Sequence, residues 1–565
     1  MDSFRKAVEA LLQKHKLDPS LLEIPPDPGM GDFAYPCFSL AKELKKAPSL
    51  IAKDLAAKYA VTGIITKIEA KGPYVNFFLD KSKVAEIMLQ AIFKEKNNYG
   101  KYAPTNKKIL IEYPGPNTNK PLHLGHARNM VLGTALTNLL RAAGHQVTVV
   151  NINNNRGVHI CKSMLAYQKW GKGDTPEKSN LKPDHFVGKY YILFSQKAEQ
   201  QPELEQEAQT MLKKWEEHDP EIVALWKKMN KWAYTGFAET YKIFGVQIEK
   251  EYYESDTYAQ GKEIVLQGLQ DGLFQKNEKG SIVIDLTKEG YGKKVLLRSD
   301  GTTVYITQDL YLGKKRWEDY HFDQIIHIVG KEQKYHFEIL FKIYEKLKLP
   351  FFDKCYHLAY GLINLVSGKM SSREGTVINC DTLVKEVQQL AKEAVKERCT
   401  TLTEEEITKR SHAVALSAIK FFLLRQDVYL DITFDPKASI AFEGETGPYV
   451  QYTYARCSSI LRKAGKAIKP NVEYNKLDNS QEKQIIILLA RYGEVIKQAA
   501  EQYKPNYIAR YTLELAQTFN EFYHAHQVIS EDESLTKARL FLVFCVKEVL
   551  ANSLQLLGIE PLEAM

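Results

Sequence analysis

Lys108-Ile109-Leu110-Ile111-Glu112, followed by the loop Tyr113 to Pro121 and the run Leu122-His123-Leu124-Gly125-His126 onward to Ala143, decides the fold of this chain. The opening five residues form a short apolar run of the kind found in a strand buried on both faces. Three prolines and a glycine keep residues 113–121 out of any helix. A long helix is expected from about Leu124 to Ala143, with Gly144 placed where a helix end calls for a left-handed residue. Gln146 to Ile152 then resumes as a β-branched strand, which completes a strand–helix–strand unit and opens a parallel sheet.

Working outward, Gln324 to Gly330 reads as a strand and Gln333 to Leu347 as its helix, a second half of the same sheet. The stretch of roughly 160–300 between the halves is rich in helix formers. Upstream, residues 4–15 suit an amphipathic helix, Pro25 to Gly29 a turn, Ser39 to Tyr59 a helical stretch and Tyr74 to Leu79 a strand. Asn97 to Asn106 is polar and reads as a linker. From Thr382 onward the apolar spacing is helical almost throughout. The predicted fold is multi-domain α/β: a Rossmann-like parallel-sheet catalytic domain with a helical insertion, a small N-terminal α+β domain and a C-terminal α-helical bundle. The expected boundaries are 1–95, 96–435 with the insertion at about 160–300, and 436–565.

Length and composition agree with this division. A chain of 565 residues exceeds what one hydrophobic core serves, and 44% hydrophobic with 26% charged residues is ordinary for a folded soluble protein. The net charge of +8 is compatible with a polyanionic partner but equally with a plain solvated surface. Seven cysteines without a CxxC pair argue against a disulfide framework and against a cysteine zinc knuckle. Apolar runs such as Ile485 to Ala490 are far shorter than the ~20 residues of a membrane span, and the N-terminus lacks a signal core. A cytoplasmic protein with no membrane partner is expected.

Two stretches carry chemistry. In the loop after the first strand, His123-Leu124-Gly125-His126 offers two imidazole donors, a glycine that admits a nucleotide to the backbone, and a helix N-terminus whose dipole favours phosphate. By spacing alone an HxxH pair is also a zinc candidate, although His123 precedes the helix and no third ligand accompanies it. Far downstream, Ser367-Gly368-Lys369-Met370-Ser371-Ser372-Arg373 is a glycine-flanked loop whose Lys369 can neutralise departing pyrophosphate. Read alone it is a polar turn.

Together, on two halves of one sheet, these stretches resemble the HIGH and KMSKS signatures of class I aminoacyl-tRNA synthetases. The resemblance implies ATP-dependent adenylate formation without a covalent enzyme intermediate, with His123, His126 and Lys369 catalytic and Leu124, Gly125, Met370, Ser371 and Ser372 at ATP. Mg²⁺ is expected to accompany ATP, with no protein-held metal. Ser372 stands where the second lysine of KMSKS is usual, and Lys120, three residues before His123, is expected to supply the absent charge.

Specificity reads as arginine. A guanidinium needs carboxylates placed for forked hydrogen bonds, and Tyr305 and Asp309, four apart, share a helix face. Glu112 ends the first strand near the same edge, and Asn117 and Gln333 are neutral amides suited to the substrate's ammonium and carboxylate. Segments around Glu112 to Asn117, Arg298 to Asp309, Gly330 to Phe337 and Gly444 to Tyr452 resemble arginyl-tRNA synthetases, and the resemblance runs from end to end. It implies an arginine pocket of Glu112, Asn117, Tyr305, Asp309 and Gln333, and activation only when tRNA is bound. It further implies tRNA(Arg) held by an N-terminal module through Tyr74 and Asn76 and by a helical domain with Tyr454 and Arg456, Tyr454 standing where a histidine is usual. A monomer is expected. The rivals are a class I synthetase for another amino acid, a non-catalytic tRNA-binding relative, and a small-molecule nucleotidylyltransferase.

Overall fold

Five parallel strands form the spine of the molecule in this computed structural model, which describes residues 2–25, 27–366, 378–398 and 402–565. They are β1 (Lys108–Glu112), β2 (Gln146–Asn153), β3 (Lys250–Tyr253), β4 (Gln324–Gly330) and β5 (Cys355–Tyr360), in the spatial order β5-β4-β1-β2-β3. Ile111 of the central strand pairs with Val149 on one side and Ile326 on the other, and both faces are covered, which is why β1 is an unbroken apolar run. Helix α1 (Leu124–Ala142) makes the first crossover, buried along most of its length, and ends at Gly144 with φ of +88°. The chain leaves β1 toward β2 and β3 and returns on the other side through β4 and β5. The direction reverses beyond Glu112 and Gly330, the place where open sheets of this kind hold ligands.

The insertion between β2 and β4 is helical first. Val158–Trp170, α2 (Pro183–Ala198), Glu203–Glu216 and α3 (Pro220–Phe244) enclose their own aromatic core around Phe186 and Trp215. Its second part departs from the helical expectation: Gln275–Lys276, Ile282–Leu286 and Gly292–Leu297 form an antiparallel three-stranded sheet. Lys293 and Lys294 are good helix formers in isolation, and cross-strand pairing with Asp285 and Ile284 overrides that preference. Helices α4 (Tyr305–Tyr320) and α5 (Lys334–Lys346) then cover the sheet around β4.

Beyond Asn379 the described residues are mostly helical, as the spacing predicts, in α6 (Cys380–Arg398), α7 (Glu404–Arg425), α8 (Gly447–Ala464), α9 (Ser480–Glu501), α10 (Asn506–Ala525) and α11 (Glu533–Leu556), with one short strand, Ile432–Phe434, paired to Ile363–Leu365. Thr403 with Glu406 and Asn479 with Glu482 form reciprocal caps that start α7 and α9. The N-terminal module pairs Phe33–Pro36, Tyr74–Leu79 and Ile65–Lys71 in an antiparallel sheet. The helical stretch expected at 39–59 splits into Phe38–Leu44 and Pro48–Lys58, broken by Lys45 at φ of +49° and by a proline at the second helix start.

The expected polar linker is docked. The Tyr99 hydroxyl donates to the Leu489 carbonyl at 2.8 Å and the Tyr102 hydroxyl to Gly493 at 3.1 Å, both on α9. Helix Lys81–Glu95 likewise lies on the C-terminal bundle, with Phe93 against Phe541 and Phe544. No helix among the described residues is long and apolar enough to cross a membrane.

Candidate active site

The carboxyl ends of β1 and β4 open into a cavity of about 920 Å³ whose wall includes His123, Gly125 and His126 on one side and Tyr305, Asp309 and Glu254 on the other. His123 is the N-cap of α1. Its Nδ1 accepts from the Gly125 amide at 3.1 Å, and His126 Nδ1 accepts from the His123 amide at 3.1 Å. A ring nitrogen that accepts leaves the proton on the other nitrogen, so each imidazole is left as a neutral Nε2–H donor. Burial, with the Lys120 ammonium beside it, pushes His123 down to about 4. His126 lies well below the ordinary value through burial, His123 and Lys120. The pair therefore donates hydrogen bonds while Lys120 brings the positive charge. Lys120 is half-buried, and that burial lowers its own pKa.

Leu124 is fully buried in the core and its amide donates to the Ile378 carbonyl at 3.1 Å, so the expected ATP contact from this residue is withdrawn. Gly125 alone of that pair reaches the cavity wall. Lys369, Met370, Ser371, Ser372 and Arg373 lie outside the described residues.

On the opposite wall, Tyr305 opens α4 and is 71% exposed, with Asp309 one turn on, so the helical spacing places both at the cavity as expected. Asp309 is bonded to His336 Nε2 at 2.7 Å. That partner raises His336 above its ordinary value against the opposing effect of burial. Asn117 and Gln333 also line the cavity.

Glu112 lines the cavity at the end of β1, and its carboxylate is engaged by two side chains. Its two oxygens face the two terminal nitrogens of Arg316, each at 2.9 Å, and the His327 ring also bonds to it. Burial would raise this carboxyl, but Arg316 and His327 outweigh it and hold it far below the usual range. Its charge is thus matched by Arg316 and His327 while it remains on the cavity wall.

Glu254, which residue-by-residue reading missed, is a second carboxylate on the cavity wall that bears Asp309. Burial raises its carboxyl to about 7, with Asp309 adding to the rise and Arg156 and Gln308 opposing it. It directly follows β3, an edge strand of four residues, too short to show a period in the sequence. Asn129 of α1 was also missed. It continues the spacing His123, His126, Asn129, lines the cavity, and has an unpaired Oδ1.

Among groups able to ligate metal, Asp184, His185 and Asp381 lie together outside this cavity. The Lys182 ammonium already sits 2.9 Å from Asp381 and 3.4 Å from Asp184, in the place a cation would take.

The expected RNA contacts divide. Arg456 lies over the rings of Tyr452 and Tyr523 at 4.9 and 5.0 Å, and Tyr523 is 39% exposed, a stacking surface open to a base. Tyr454 is buried, its hydroxyl donating to Glu563 at 2.8 Å, and is withdrawn as a stacking residue. In the N-terminal module Tyr74 packs edge-on to the exposed Phe38, whereas Asn76 is 2% exposed on the paired central strand and cannot reach a base. Alternation puts Asn76 on the face of Tyr74 and Phe78, opposite Val75 and Phe77, yet it is buried there on a strand paired on both sides.

Residues 88–435 match the model described as tRNA synthetases class I (R), catalytic domain; residues 1–79 match Arginyl tRNA synthetase N terminal domain, and 450–565 match DALR anticodon binding domain. A protein named arginine–tRNA ligase from Treponema denticola is 43% identical over 557 residues, 96% of this chain and 94% of that protein. One of the same name from Bacteroides thetaiotaomicron is 42% identical over 94% of this chain and 93% of its own length. Among solved structures, the Thermus thermophilus arginyl-tRNA synthetase aligns over 100% of both chains with a TM-score of 0.83 at 25% identity. With matched domains in all three parts of the chain and a class I nucleotide edge at its centre, the protein belongs to the arginyl-tRNA synthetase family.

Proposed function

We propose that this chain activates L-arginine with ATP and transfers it to tRNA(Arg). One observation carries the reading: a single cavity sets neutral imidazole donors and the nearby Lys120 ammonium against a wall bearing Glu254 and Asp309. The guanidinium would lie between those carboxylates with Tyr305 beside it. Asn117 and Gln333 remain for the ammonium and carboxylate of the amino acid.

The arginine carboxylate then attacks the α-phosphorus of ATP and pyrophosphate leaves. His123 and His126 donate to phosphate oxygens, Lys120 neutralises charge that builds on them, and Mg²⁺ enters with ATP as part of the substrate. Transfer follows when a ribose hydroxyl of the tRNA terminus attacks the adenylate carbonyl and AMP departs. Placement and electrostatics do this work without a covalent enzyme intermediate. Lys369 joins the reaction from the second motif, with Met370, Ser371 and Ser372 around ATP. Arg456 with Tyr523 receives unpaired bases at one end of the RNA and Tyr74 at the other. The chain acts as a cytoplasmic monomer.

The test is amino-acid-dependent ATP–pyrophosphate exchange with each of the twenty amino acids, with and without tRNA. Exchange with arginine alone, and only when tRNA is present, is expected. Exchange driven by another amino acid, or robust exchange without tRNA, overturns the reading.

A further inference from the structure

Lys182, His185 and Asp381 meet at a buried junction that the active site does not use. His185 Nε2 and Lys182 Nζ both lie 2.9 Å from the same oxygen of Asp381, and Lys182 also reaches Thr240 of α3 and Asp184. Side-chain exposure is only 15% for Lys182, 23% for His185 and 11% for Asp381. Asp184 is fully enclosed. Burial alone would raise the Asp381 carboxyl, and the His185 and Lys182 bonds bring it down to about 2 instead. Apolar side chains of similar volume commonly fill such a junction at no loss of stability, whereas a charged cluster defines one geometry.

That geometry bears on the ATP side of the cavity. Asp381 belongs to the first turn of α6, and the residues just before it are bonded to the His123 segment: the Cys380 amide donates to the Leu122 carbonyl at 2.8 Å, and the Leu124 amide to Ile378 at 3.1 Å. The Cys380 thiol lies 3.2 Å from the His123 carbonyl. Helix α2, which carries His185, touches the same loop a second time at Gly188. A Cβ there would come within 2.6 Å of the Pro121 ring and 3.6 Å of Lys120 Cα. One insertion helix thus grips Asp381 at one point and bears on Pro121, next to Lys120, at another.

We infer that Lys182, His185 and Asp381 are positioning residues: a latch between the helical insertion and α6 that places Lys120 and His123 for phosphate chemistry. This rests on the reading of those two residues as the phosphate-side groups. A displacement of about 1 Å at such groups is enough to cost on the order of 10²-fold in rate, which sets the size of the effect.

Asp381→Asn keeps the shape and removes the charge that Lys182 and His185 share. The expected result is a fall of about 10- to 100-fold in kcat for tRNA-supported pyrophosphate exchange, with KM for arginine within about twofold. Lys182→Arg should retain more of the rate than Lys182→Met. Hydrogen exchange at the amides of Leu124 and Cys380 should accelerate in Asp381→Asn. That measurement stands whichever amino acid the enzyme takes, so a failed arginine assignment leaves it unmoved. If Asp381→Asn does not fold, His185→Asn carries the test, because it leaves the Lys182–Asp381 pair in place. Unchanged kcat with unchanged amide exchange overturns the latch, as does a lowered melting temperature with parental kcat.

Discussion

At the residue scale, Glu254 and Lys120 carry the sharpest consequences. Burial keeps the Glu254 carboxyl near 7, so without arginine it holds a proton that a bound guanidinium would displace. Arginine binding should therefore weaken as pH falls from about 8 to about 6, by up to ~10-fold per unit below the pKa. His336 acts with the same sign. Its pKa is raised by Asp309, and in its charged form it competes with arginine for that carboxylate. KM for arginine measured across this range checks the trend, and Glu254→Gln should leave only the shallower His336 part. Linkage runs the other way for the free protein: the folded state holds the Glu254 proton between the ordinary 4.5 and about 7, so its stability contribution declines as pH rises through that window. Asp309→Ala should weaken arginine binding by about 2–5 kcal/mol with ATP binding little changed. A parental arginine KM in that variant removes Asp309 from the pocket.

Lys120 offers a different kind of test, since its charge faces the imidazoles rather than the amino acid. Lys120→Ala should slow single-turnover adenylate formation by roughly 10² or more while arginine binding holds. Adding Ser372→Lys should return part of the rate. A near-parental rate in Lys120→Ala would make this lysine a bystander.

At the scale of elements, α1 is tied to the far side of the sheet by one buried side chain. Arg128 is fully enclosed and donates to the carbonyls of Leu362 at 3.0 Å, Val428 at 3.2 Å and Leu430 at 2.9 Å, and also to Gly361. Burial lowers its pKa to about 10, so it stays charged. Arg128→Met strands these carbonyls and should cost about 3–5 kcal/mol in denaturant unfolding. Arg128→Lys should rescue little, because a single ammonium cannot span the same acceptors as the planar fork. Helix α1 was legible in the sequence because its length and Gly144 are local features, while its N-cap at His123 emerged with the structure. The anchoring of Arg128 was not, because its acceptors lie more than 230 residues away and are backbone atoms with no side-chain signature.

For the whole molecule, the N- and C-terminal parts share one core with the central helices. Removing residues 1–79 should leave a folded body, since helix Lys81–Glu95 remains against Phe541 and Phe544, and Asn552 still donates to the Lys96 carbonyl at 2.9 Å. Removing residues 1–98 uncovers that apolar face and should lower the melting temperature by several degrees more, on the order expected for losing a few kcal/mol of burial. Equal melting temperatures for the two truncations would mean that this helix adds nothing to the bundle.

What the sequence by itself determined here is local and periodic. The buried run of β1, the proline-broken loop, the length of α1, and the four-residue spacing of Tyr305 and Asp309 depend on neighbours within a few positions. The placing of His123 and His126 at the start of α1 was readable for the same reason. Only the tertiary structure decided which polar groups were already satisfied. Arg316 and His327 match the charge of Glu112, Glu563 claims the Tyr454 hydroxyl, and sheet pairing buries Asn76. The same holds for Glu254 and for the meeting of Lys182, His185 and Asp381. The free energy of a buried charge is set by what surrounds it in three dimensions, and those neighbours come from segments that the chain keeps far apart.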